Sequence, residues 1–223
     1  MIISENVEQG SEQWFNLRKG RATASQFKKI LTPTGKKSAS AKGYMRVLAR
    51  ECICADPMEF FGNKYTEWGN EHEPDARDLF ETETGLKVHE VGFVNRADDA
   101  PVGCSPDGLI MDDAGNYVGG LEIKCPQVDT HVGYLLDGEL PSDYKMQVHG
   151  SMAVTGLPYW YFMSYFPGLN PLIIKVERDA FTDTVSTALD DFVIEYAAER
   201  ERVLAAILPG KSHAPSEEEE SIL

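Results

Sequence analysis

The stretch GCSPDGLIMDDAGNYVGGLEIKCP, residues 103–126, constrains the fold of this chain more than any other. Two apolar runs with strand-like alternation flank DDAGN, whose Asp, Gly and Asn are turn formers, so the segment predicts an antiparallel hairpin. Strands joined by a tight turn lie side by side, which brings Asp107 on one across to Glu122 on the other. Side chains at i and i+2 share a face. Lys124 therefore joins Glu122, while Leu121, Ile123 and Cys125 turn the other way into a core.

Two carboxylates forced together repel, and one rises in pKa unless a cation neutralises them. A hard divalent metal does this: Mg²⁺ prefers oxygen ligands and keeps positions for water or substrate phosphate. The competing reading is a surface salt bridge of Lys124 with either acid. Phosphate-ester cleavage favours the metal site, because it needs accelerations that can exceed roughly 10¹⁷-fold, about 23 kcal/mol. A positioned acid or base contributes only about 10²–10⁴-fold. Metal ions polarise the phosphoryl oxygen and generate hydroxide at neutral pH, and a lysine beside them orients the attacking water or offsets charge building on the phosphorane.

A net charge of −15 over 223 residues argues against a nucleic-acid partner until its distribution is considered. Residues 1–50 hold ten Lys and Arg against three Glu, a local +7, and the remaining 173 residues carry a local −22. Such a chain can present a basic face to DNA while an acidic exterior repels misplaced nucleic acid. A solvated basic helix face is the alternative. The N-terminus MIISENVEQG lacks the basic and then apolar pattern of a signal peptide, and no apolar stretch is long enough to span a membrane, which predicts a cytoplasmic protein with no membrane partner. Cys52, Cys54, Cys104 and Cys125 form no CxxC pair and are expected as reduced thiols without a zinc or iron–sulfur centre.

Along the chain, SEQWFNLRKG reads as a short helix with Ser11 as N-cap and Gly20 as the stop, and TASQFKKIL as a second capped by Thr23 or Ser25. Residues 33–43 read as a mobile basic loop, followed by a helix from Tyr44. Another helix spans Thr66 to Thr84, with Pro74 expected to kink it or restart it near Glu73. KVHEVGFVN, VGCSPDGLIM and YVGGLEIKC are predicted strands. Ser142 is expected to cap a helix stopped by Gly156, and two more strands precede a long helix over 180–208. The fold class is α/β: a mixed central sheet flanked by helices in one domain over 1–208. It comprises a basic helical region over residues 1–55, a catalytic core over 60–180 and the terminal helix over 180–208. The acidic tail 209–223 is too polar to pack.

These residues resemble the PD-(D/E)xK nucleases, in the form found in lambda-type (YqaJ-type) phage recombination exonucleases. SPDG and LEIKCP carry the signature, and QGSEQWFNLRKGRATAS, WGNEHEPDARDLFE and YKMQVHGSMAVTG extend the likeness over roughly residues 8–205. The resemblance implies a restriction-endonuclease-like core and a Mg²⁺-dependent exonuclease, with two ions per site that Mn²⁺ can replace. Its action would be to digest one strand of linear double-stranded DNA from 5′-phosphorylated ends, leaving 3′ overhangs for recombination. It further implies a ring-shaped homotrimer working with a single-strand-annealing recombinase.

Carried over to this sequence, Asp107 and Glu122 would be metal ligands with the backbone carbonyl of Ile123, and Lys124 would assist the nucleophilic water. Glu73 would help bind the second metal, and Gln147 would support the site from its helix. Arg18, Ser25 and Ser105 would hold the 5′-phosphate, with Lys36 and Lys37 as weaker DNA contacts. On physical grounds, a free helix start and a guanidinium both suit a phosphate dianion. The bland alternatives are an exposed helix glutamate at 73, a structural ion pair at Arg18 and a surface amide at Gln147. An endonuclease of the same metal-site class and a non-catalytic DNA-end-binding protein are the competing functions.

Overall fold

A computed structural model describes residues 1–53, 64–97 and 100–207, with backbone alone at 64–66. The expected disordered tail and Cys54 lie outside the described residues. In chain order the elements are β1 (Ile2–Ser4), α1 (Glu12–Arg18), β2 (Ala22–Thr23), a 3₁₀ helix (Ala24–Lys29), α2 (Ala41–Glu51) and α3 (Lys64–Thr84). Next come β3 (Lys87–His89), β4 (Phe93–Asn95), β5 (Val102–Cys104), β6 (Gly108–Met111) and β7 (Tyr117–Lys124). α4 (Val128–Asp137), α5 (Ser142–Thr155), β8 (Tyr159–Ser164), β9 (Leu172–Glu177) and α6 (Ala180–Ile207) complete the described chain.

The strands form two mixed sheets rather than the one central sheet expected, in the orders β1-β4-β5-β2 and β3-β6-β7-β8-β9. KVHEVGFVN breaks into β3 and β4, and VGCSPDGLIM into β5 and β6, each pair divided between the two sheets. Alternation reports which side chains are buried and says nothing of which neighbour each half of a run pairs with. The predicted hairpin is present: β6 and β7 pair antiparallel with Gly108 opposite Leu121, and Asp112 Oδ1 accepts from the N–H groups of Ala114 and Asn116 in the turn.

Several local signals act as expected. The Ser11 hydroxyl accepts from the Trp14 N–H at 3.2 Å and caps α1, and Gly156 ends α5 in the left-handed conformation. Gly20, at φ +68°, also has no room for a side chain, since a Cβ would lie 2.4 Å from Cys52 Sγ. Other expectations are corrected. α3 does not restart at Glu73 but runs as one helix through Pro74; the ring forfeits one hydrogen bond, while the face bearing Ala76 and Phe80 stays packed. Ser142 is the first residue of α5 and Pro141 its N-cap. The second helix is 3₁₀, and the Thr23 hydroxyl lies 3.4 Å from that of Ser25 instead of capping.

Residues 33–43 form no loose loop. Thr32 N–H donates to the Lys36 carbonyl at 2.7 Å, Ser38 N–H donates to the Ile30 carbonyl at 2.8 Å, and α2 already begins at Ala41. α4 was not expected, because its apolar Val128, Val132 and Leu136 face outward while the residue it buries is His131, bonded to Ser164 Oγ and the Asn170 carbonyl.

Two apolar clusters hold the elements together. The larger joins Phe27, Leu48, Met152, Trp160, Phe162, Phe192 and their neighbours, so α2, α5 and α6 close over the sheets. The smaller packs Ala76 and Phe80 of α3 on Ile110, Leu121, Ile123 and Met163. β7 therefore divides its side chains: Leu121 and Ile123 face α3, and the alternate residues Glu122 and Lys124 face α5. Burying a Leu or Ile stabilises by about 1.5–3 kcal/mol, and that gain keeps an acid and a base in the sheet interior. Among the described residues no helix is long and apolar enough to cross a membrane.

Candidate active site

Asp107 lies at the bend between β5 and β6, where the chain passes from one sheet to the other. Its Oδ2 accepts from the Ile123 N–H at 2.6 Å, and its own N–H donates to the Leu121 carbonyl at 3.2 Å. Glu122 is 1 % exposed. Its Oε1 accepts from both Lys124 Nζ and Gln147 Nε2, and Lys124 Nζ lies 3.9 Å from Asp107 Oδ2. Gln147 and Tyr144, one turn apart on α5, both reach the site, with Lys124 Nζ 5.6 Å from the Tyr144 ring centroid. Lys124 does pair with both acids, as the salt-bridge alternative to the metal site has it, but around a buried Glu122, and Gln147 bonds that carboxylate instead of standing free on its helix.

Glu73 projects from α3 beside this group and is 31 % exposed at the side chain. Burial pushes its carboxyl up to about 7, the Asp107 charge adds to the rise, and Arg77 and Lys124 oppose it. Burial likewise pushes Glu122 up to about 8, against the pull of Lys124 and with the push of Asp107. Burial alone would lower Lys124, but the carboxylates of Glu122 and Asp107 outweigh it and hold the ammonium above its usual range. Three acids thus share one electrostatic environment, the arrangement that shifts pKa values at working sites.

Among the described residues no donor reaches the buried Glu122 Oε2. A carboxylate oxygen left so is costly, and a hard cation is a partner that satisfies it. Among the described residues no three His, Cys, Asp or Glu side chains converge as a ready-made cage.

A second group borders the first. Arg18 Nη1 donates to Ser105 Oγ at 2.8 Å, the guanidinium stacks 4.1 Å over the Trp14 ring, and Trp14 Nε1 donates to the same Ser105 oxygen at 2.9 Å. Among the described residues Arg18 has no ion-pair partner, so it is not the structural ion pair weighed above. Ser25 lies at the same end of the β2–β5 pair as Ser105: Thr23 is opposite Gly103 in parallel register, and each serine follows two residues on. Trp14, Glu73, Arg77 and Asp107 line a shared cleft of about 1060 Å³.

Lys36 and Lys37 are not brought to this cleft. Lys37 lines a separate groove against α6 and pairs with Glu195, as Arg46 pairs with Glu199 at 2.7 Å. Some of the N-terminal basic charge is therefore paired with acids of α6 at the surface. Sequence reading missed Arg77, which donates to Glu73 Oε1 at 2.7 Å; the i,i+4 spacing was its available signal. It also missed Gln9, Trp14 and Tyr144.

The fold and site together define a mixed α/β protein with an acid pair and a lysine on a buried hairpin. The chain belongs to the YqaJ-like viral recombinase domain family, whose model matches residues 13–158. Among solved structures it is similar to an alkaline exonuclease (LHK-Exo) from Laribacter hongkongensis, at 33 % identity over 88 % of this chain and 97 % of that one, with a TM-score of 0.75. The same protein in complex with dAMP matches at 32 % identity, equal coverage and the same TM-score. A phage related exonuclease from Haemophilus somnus 129PT shares the fold at 17 % identity, over 87 % of this chain and 99 % of that one, with a TM-score of 0.63. Comparison with curated proteins gave no match.

Proposed function

We propose that this protein is a Mg²⁺-dependent exonuclease that digests one strand of linear double-stranded DNA from 5′-phosphorylated ends. The observation that carries the reading is the meeting of Asp107, Glu122, Lys124 and Gln147 at one point, with Glu73 and Arg18, the latter bonded to Ser105, beside them. Family membership and the likeness to alkaline exonucleases support nuclease chemistry on DNA.

Asp107, Glu122, Glu73 and the Ile123 carbonyl would hold the divalent ions, two per site, with Mn²⁺ able to substitute. Bound there, the metal supplies charge stabilisation at the phosphoryl oxygen and a nucleophile at neutral pH. Lys124 orients the attacking water, and Gln147 holds the Glu122 carboxylate by donating to Oε1. Arg18, Ser105 and Ser25 bind the terminal phosphate: a guanidinium with no acid partner among the described residues, beside hydroxyl groups, is a dianion receptor, and occupancy by a 5′-phosphate sets the polarity of digestion. Overhangs made this way would serve a single-strand-annealing recombinase, and the active form would be a ring-shaped homotrimer.

The deciding experiment follows a linear, 5′-phosphorylated duplex labelled separately at each end of one strand, with EDTA and a closed circle as controls. Early Mg²⁺-dependent release of the 5′ label, with the 3′ label retained and the circle intact, is the expected outcome. Cutting of the circle would instead indicate an endonuclease, and no Mg²⁺-dependent cleavage of any substrate would leave a DNA-end-binding protein.

A further inference from the structure

The chain passes from the five-stranded to the four-stranded sheet between His89 and Phe93, and returns between Cys104 and Gly108. Asp107 lies in the second crossing, so its placement depends on how firmly the two crossings are tied. Arg77 and Gln9 tie them, and Trp14 Nε1 bridges them as well, donating to the Gly92 carbonyl at 3.0 Å and to Ser105 Oγ at 2.9 Å. Arg77, one helical turn beyond Glu73, donates from Nη2 to Glu73 Oε1 at 2.7 Å, and its Nη1 lies 3.0 Å from Glu90 Oε1. Its Nε donates to the main-chain carbonyl of Asp107 at 3.2 Å.

The Arg77 side chain is only 12 % exposed, and the rigid guanidinium fork sets its three acceptors relative to one another. Gln9 reaches the same crossings from a distant stretch of the chain. Its Nε2 donates to the Val91 carbonyl at 3.0 Å and to the Pro106 carbonyl at 2.8 Å. Glu90 and Val91 belong to one crossing, Pro106 and Asp107 to the other, and both clamps line the cleft of about 1060 Å³.

We propose that Gln9 and Arg77 are positioning residues that clamp the two sheet-to-sheet crossings together and so set the placement of Asp107 and Glu73 in the cleft. The inference rests on the nuclease reading above. Neither residue need touch the reacting atoms: a displacement of about 1 Å in a reacting constellation costs about 10²-fold in rate, and the clamps resist such a displacement.

Arg77→Met, Arg77→Lys and Gln9→Met are compared with wild type in cleavage of linear duplex across a Mg²⁺ series. Duplex affinity in Ca²⁺, thermal unfolding and hydrogen exchange over residues 89–92 and 105–108 are measured alongside. For Arg77→Met the expected result is a fall in kcat of about 10²-fold and a rise of about tenfold or more in half-saturating Mg²⁺. KM for duplex stays within about threefold, because ground-state binding is not what the clamp supplies.

Arg77→Lys recovers some of the loss, Gln9→Met shifts in the same direction by less, and exchange in both crossings accelerates in Arg77→Met and Gln9→Met. Unchanged kcat and Mg²⁺ requirement in both methionine variants would overturn the proposal. So would losses matched by equal losses of duplex affinity and melting temperature, with no recovery by lysine. A wild-type protein inactive on every duplex refutes the nuclease reading instead, and the clamp then stands or falls on whether exchange at both crossings accelerates.

Discussion

The main-chain N–H of Ile123 donates to Asp107 Oδ2 at 2.6 Å, so the first acid of the site is anchored on the strand that carries the second. Glu122 and Lys124 flank that N–H on β7, and the Asp107 N–H returns a bond to the Leu121 carbonyl. The separation of the acids is therefore a property of strand register. A slip of one residue would exchange Glu122 for an apolar neighbour.

Replacing Lys124 by Ala is expected to abolish most cleavage, by about 10²-fold or more, while duplex binding survives. The substitution also leaves Glu122 buried without its cation, which destabilises the protein. Mg²⁺ is expected to raise the melting temperature of the variant more than that of wild type, since a ligand of the folded state stabilises by mass action. Single-turnover cleavage and melting with and without Mg²⁺ check both statements; a variant cutting at the wild-type rate would remove the proposed role.

Arg18→Ala is expected to erase much of the preference for 5′-phosphorylated over 5′-hydroxyl ends, with the rate on hydroxyl ends little changed. Charge-assisted hydrogen bonds to a phosphate contribute about 1.5–3 kcal/mol, roughly 10- to 100-fold in the preference ratio. Competition between the two substrates measures it. An equal ratio in variant and wild type would rule out the assignment.

Gly120→Ala tests the packing beneath the site. A Cβ at Gly120 would lie 2.3 Å from the Trp160 indole, which is fully buried on the neighbouring strand. Overpacking of this kind costs about 1–3 kcal/mol, read as a lower midpoint in urea with an unchanged slope. A midpoint equal to that of wild type would contradict the close contact.

His149 sets a pH dependence of stability away from the acids. Burial lowers its pKa, Asp179 opposes the shift and Lys145 adds to it, while the Phe181 ring stands edge-on 5.0 Å away. The unfolded chain takes up a proton near pH 6.5, and the folded protein resists until lower pH. The stabilisation is therefore complete above about pH 6.5 and is lost as pH falls through the lowered folded value. His149→Asn can keep the 2.8 Å bond to Thr182 Oγ1 and cannot titrate. The stability of wild type relative to this variant is expected to fall between pH 7.5 and 5.5, and a constant difference across that range would sink the assignment.

Local patterning along the chain is enough for the hairpin, the pairing of Glu122 with Lys124 on one strand face, the start of α1 at Ser11 and the end of α5 at Gly156. Each follows from short-range rules: the turn chemistry of DDAGN, the two-residue alternation of a strand, the reach of a capping hydroxyl, the left-handed turn that glycine permits. Tertiary structure decided the rest. Two apparently continuous strand runs divide between two sheets, α4 buries a histidine while its valines face outward, and Lys37 and Arg46 spend their charge on α6.

Gln9 and Arg77 belong to this second group. Gln9 bonds carbonyls 82 and 97 residues away, and no local periodicity encodes such a partner. An amide or guanidinium can serve many carbonyls equally well. Which ones it meets is settled by the packing of the apolar faces, which brings distant backbone together before any polar group selects among the acceptors at hand.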